Sequence, residues 1–135
     1  MRFSTHTRRP LLFVLTLLLL AAAFVAQAES TVAASGTFTG KSDHVTTGGV
    51  TILETGSGYV VVLEADFSLD GAPDPKIGFG NNGKFATKTL FTPLENKTGL
   101  QVYALPKSID PAKYNEIYIW CEKFSVPLGV ASLNR

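Results

Sequence analysis

The chain is poor in the residues that build most redox and metal sites. Its 135 residues include one cysteine (Cys121), one tryptophan (Trp120), one methionine (Met1) and two histidines (His6 and His44). A lone cysteine excludes an intramolecular disulfide, so the fold must stand on packing. There is no C-x-x-C-H motif, which excludes a covalently attached c-type haem. Basic clusters are also missing: removing Arg2, Arg8 and Arg9 from the 12 Lys and Arg leaves nine against 11 Asp and Glu. With nothing to track phosphates, nucleic acid is not an expected partner. Beyond the leader, no window of a dozen residues carries a clean helical period, which excludes a helical bundle.

The leader is the exception to the helical rule. Arg2, Arg8 and Arg9 precede an apolar run from Leu11 to Val25, and Ala26-Gln27-Ala28 offers small residues for cleavage. The pattern is that of a secretory signal peptide over residues 1–28. At about fifteen residues the run falls short of the roughly 20 that cross a bilayer, so cleavage and release without a membrane anchor are expected. No cysteine stands at the cleavage site, which excludes a lipid-anchored lipoprotein. Removal of the leader takes away Met1 and His6. A blue-copper centre needs two histidines beside its cysteine and a structural zinc site needs four nitrogen or sulfur ligands. Neither can be assembled from His44 and Cys121 alone.

What is present is a series of short runs with period two, separated by turn residues. Residues 29–35 read as a polar lead, and Gly36 to Lys41 as a first strand, half buried at most. Asp43 to Gly49 has turn chemistry, and Val50 to Thr55 reads as a second strand. Gly56-Ser57-Gly58 then turns the chain into Tyr59 to Phe67, with Tyr59, Val61, Leu63, Ala65 and Phe67 on one face. A loop over Asp70 to Pro75 leads to Ile77 and Phe79, whose neighbours Gly78 and Gly80 suggest a close backbone approach. After Asn81-Asn82-Gly83 and a stretch broken by Pro93 comes Leu100 to Leu105. Ile109 to Tyr114 predicts one helical turn with Asp110 as its cap and Pro111 at its first position. Ile117, Ile119 and Cys121 alternate with Tyr118, Trp120 and Glu122. Val126 to Leu133, weakened by Pro127 and Gly129, reads as an edge strand returning beside them. The spacing predicts one all-β domain over residues 36–135, an antiparallel sandwich or small barrel of about seven or eight strands.

The run of motifs GTFTG, His44 followed by TTGGV, ADF, GAPDPKIGF, GLQVYALP and YIWCEKFSVPLGVASL resembles the DM13 domain, a family of extracytoplasmic modules of this size. The resemblance implies extracytoplasmic electron transfer by a cysteine that acts as a bare thiol or as a ligand to a prosthetic group such as haem. Cys121 stands at that position. It also implies a protein partner, another extracytoplasmic redox or surface protein.

For Cys121, the residues themselves support two readings. One is a redox thiol or haem ligand, alone or with His44, since a non-covalent haem stays open on the inventory. The other is a buried core residue of a non-redox binding or scaffold domain, because free cysteine packs as a small hydrophobe. Lys123, on the expected strand face, offers modest charge support to a thiolate. His44 is either a turn histidine bonded nearby or the partner of Cys121. A Cys121–His44 hydrolase using Asp43 or Asp66 lacks a nucleophile elbow.

Overall fold

The computed structural model describes residues 29–135, and the leader expected over residues 1–28 lies outside them. Eleven strands are formed: β1 (Thr31–Gly40), β2 (Thr46–Thr47), β3 (Gly49–Thr55), β4 (Gly58–Leu63), β5 (Ser68–Leu69), β6 (Pro75–Asn81), β7 (Lys84–Phe85), β8 (Thr92–Pro93), β9 (Gln101–Ala104), β10 (Glu116–Cys121) and β11 (Val126–Ser132). Eight of them pair antiparallel in the order β7-β6-β10-β11-β1-β3-β4-β9 and curl into a half-barrel, with β8 joining β6 beside β7. β2 and β5 form a small two-stranded sheet. The all-β expectation holds, in the form of one sheet that rolls over its own core.

That core follows the period-two pattern. Ile52, Val61, Leu63, Ile77, Phe79, Ile117, Ile119 and Leu128 are fully buried and pack into a single cluster. The glycine turn joins β3 to β4 in register from Val50↔Leu63 to Thr55↔Gly58. Pro111–Lys113 forms one 3-10 turn, and the Asp110 side chain accepts from the Ala112 N–H at 3.0 Å, as its sequence implies.

Four details depart from the sequence reading. β1 begins at Thr31, inside the expected polar lead, because backbone pairing with β3 asks nothing of side-chain polarity. Its Phe38 is buried rather than half buried, edge-on to Phe67 with ring centroids 5.5 Å apart. The Tyr59 run ends at Leu63. Glu64 to Phe67 turns away, the Phe67 N–H donating to the Glu64 carbonyl, which leaves Ala65 exposed. β11 is no edge: it lies between β10 and β1. A bulge in its pairing with β10 falls between Gly129 and Pro127, and Thr46 fills the space where a Cβ of Gly129 would stand.

Candidate functional site

Cys121 is the last residue of β10, paired with Pro75 of β6 on one side and Val126 of β11 on the other. It shares the inner face with Ile117 and Ile119 and is 1% exposed. Its Sγ donates to the Pro73 carbonyl at 3.1 Å. Pro73 belongs to the loop that precedes β6, and this loop closes over the thiol. Asp74, beside Pro73, takes a left-handed φ of 52°, and its carbonyl accepts from the Glu122 N–H. Lys76 pairs with the carboxylates of Asp74, at 3.5 Å, and Glu122. Lys123 does not join this environment. The strand stops at Cys121, and in the turn that follows the Lys123 ammonium lies 5.5 Å from the Phe124 ring centroid.

His44 fastens the other end of the same loop. Its Nδ1 lies 2.9 Å from Asp70 Oδ1, while Oδ2 of the same carboxylate accepts from the Val45 N–H at 3.0 Å. The Asp70 N–H in turn donates to the Val45 carbonyl. The Val45 N–H, and then the bond to His44, hold the Asp70 carboxyl below its usual range. His44 and Cys121 thus bond to opposite ends of the same loop. Asp70 to Pro73 is three residues, a reach of at most about 11 Å. Asp43 and Asp66 are not the partners of His44, since Asp66 accepts from the Gly49 N–H at 2.9 Å. Asp70 had no signal in the sequence, because the pair is separated by 26 residues and aspartate in a Gly-Pro loop reads as turn chemistry.

A family model described as Electron transfer DM13 matches residues 37–133. The chain belongs to the DM13 family. No curated protein and no solved structure matches it. Membership carries electron transfer as the family's general function, and both Cys121 and His44 fall within the matched span.

A haem ligated by Cys121 does not fit this DM13 domain. The thiol is sealed between two paired strands and the Pro73 carbonyl. Among the described residues, neither Cys121 nor His44 lines the clefts at Tyr59–Asp110, Ser35–Asn134, Thr39–Ser132, Lys76–Glu122 or Lys88–Tyr114. Among the described residues, no three His, Cys, Asp or Glu converge as metal ligands would.

Proposed function

We propose that this DM13 domain is an extracytoplasmic electron-transfer module whose redox group is the bare thiol of Cys121, reached when the Asp70–Asp74 loop lifts. The observation that carries this reading is the closure over the thiol. A short loop lies over it on that side, held at one end by the His44–Asp70 pair and at the other by the Sγ hydrogen bond, the Glu122 N–H on the Asp74 carbonyl and the Lys76–Asp74 ion pair. Such a cover can open locally without unfolding the sheet beneath.

The chemistry is thiol–disulfide exchange with the cystine of another extracytoplasmic protein. Cys121 loses its proton to solvent, and its thiolate attacks one sulfur of the partner's disulfide. That S–S bond breaks as the mixed disulfide forms, and the partner's second sulfur leaves as a thiolate that is reprotonated. The leader over residues 1–28 supports an oxidising compartment, where such a partner exists.

A second reading has an observation of its own. Cys121 is as buried as Ile117 and belongs to the apolar cluster, which suits a secreted binding or scaffold domain with cysteine as core. Incubation of the native protein with oxidised glutathione, followed by intact-mass measurement, separates the two. A single adduct on wild type, absent from Cys121→Ser, supports the redox module; no adduct until the protein is denatured supports the core.

A further inference from the structure

On the outer face of β10, one residue from the thiol, a second cluster is built with unusual care. Trp120 stacks on Phe85 with ring centroids 4.1 Å apart and planes 11° apart, and Tyr118 meets both rings edge-on, at 6.4 Å from Trp120 and 5.4 Å from Phe85. The neighbouring strand β6 makes room for them with glycine. A Cβ on Gly78 would lie 2.7 Å from the Phe85 ring, and one on Gly80 would lie 2.7 Å from the Tyr118 ring. Tyr118 is buried, and its hydroxyl donates to Glu116 Oε2 at 2.8 Å. The Glu116 carboxylate is held in place by the Gly83 N–H, which reaches its oxygens at 3.0 and 3.1 Å. Trp120 is partly exposed.

We propose that Trp120 and Tyr118 form a one-electron relay in which Glu116 takes the phenolic proton. The inference rests on the electron-transfer reading of the family but not on the chemistry of Cys121. A one-electron oxidant, such as an oxidised metalloprotein, removes an electron from the accessible indole of Trp120. The Trp120 radical cation is refilled by an electron from Tyr118, and the phenolic proton passes along the existing hydrogen bond to Glu116. In sum, neutral Tyr118, the Glu116 carboxylate and the oxidant become the tyrosyl radical, a neutral Glu116 carboxyl and the reduced oxidant. Electron and proton leave the phenol by different routes, and each has its acceptor in contact. Packing alone accounts for the ring contacts and for a hydrogen bond on the buried phenol; the relay accounts for that acceptor being a carboxylate, able to take the proton, fixed by backbone beside a partly exposed indole.

Flash-generated tris(bipyridine)ruthenium(III), with electron paramagnetic resonance detection, tests the relay on the purified protein. Wild type is expected to give a tyrosyl radical after a transient tryptophan radical. Tyr118→Phe should leave only the tryptophan signal, Trp120→Phe should delay the tyrosyl signal, and Glu116→Gln should slow its formation by about 100-fold. Circular dichroism verifies that each variant is folded, and Tyr59, Tyr103 and Tyr114 remain as internal controls. A tyrosyl radical that forms at the wild-type rate in folded Tyr118→Phe would overturn the relay. Cys121→Ser separates this inference from the thiol reading. A radical retained in Cys121→Ser supports the relay whether or not the wild-type thiol exchanges, whereas normal exchange at Cys121 with no Tyr118 radical overturns the relay alone.

Discussion

The two faces of β10 are both apolar, yet opposite devices build them. On the inner face, Ile117, Ile119 and Cys121 meet a curled sheet whose branched and aromatic side chains fill the space, so the face is fixed by volume. On the outer face, Tyr118 and Trp120 pack on Phe85 of β7. They are seated by what β6 omits, two Cβ atoms, and by what Glu116 accepts. A sheet can thus carry a core on one side and an ordered polar-aromatic cluster on the other when the next strand alternates large residues with glycine, as Ile77-Gly78-Phe79-Gly80 does.

The comparison breaks most visibly on the inner face. Ile119→Ala should lower the free energy of unfolding by about 2 to 5 kcal/mol, because a fully buried side chain leaves a cavity that paired strands cannot collapse. Urea denaturation followed by circular dichroism measures this, and a loss well under about 1 kcal/mol would mean that the inner face is loosely packed. On the outer face, Gly78→Ala should cost less, about 1 to 3 kcal/mol, because the Phe85 ring can move where backbone cannot. Its mark is spectroscopic: Trp120 loses its stacking partner, so its emission should change in the folded state. Unchanged emission would show that Phe85 keeps its seat.

The smallest effect is electrostatic and lies at the loop. The Asp70 carboxyl titrates below its ordinary value of 3.8, so the stability it contributes is present above that value and is lost as the pH falls through the lower, folded value. Asp70→Asn should therefore be slightly less stable than wild type at neutral pH, with thermal midpoints that draw together as the pH falls below the ordinary carboxylate value and meet below the lowered folded one. Parallel curves at all pH values would contradict the pairing.

Much of this was legible in the residues. Period-two runs predict the inner face of β4, β6 and β10, and Asp110-Pro111 marks its own turn, because these depend on neighbours in sequence. Gly78 and Gly80 announce a close approach, although not that Phe85 and Tyr118 fill it. The place of β11 was hidden: Pro127 and Gly129 weaken a strand in isolation, but Pro127 sits at a bulge outside the ladder with β1, and Thr46, 82 residues from Leu128 whose carbonyl it binds, fills the space at Gly129. The His44–Asp70 latch was equally hidden. Both ends of that pair are turn residues by their local chemistry, and only the closure of the sheet brings them together.

The direct test of a redox thiol behind a lifting loop is the rate at which an aromatic disulfide reagent reacts with Cys121 in the native protein, compared between wild type and Asp70→Asn. If the loop is the gate, the reaction proceeds under conditions where global unfolding is negligible, and releasing the His44 end speeds it about two- to threefold. If both proteins instead react at the rate of global unfolding, tracking denaturant in parallel, Cys121 is a core residue and the thiol reading is wrong.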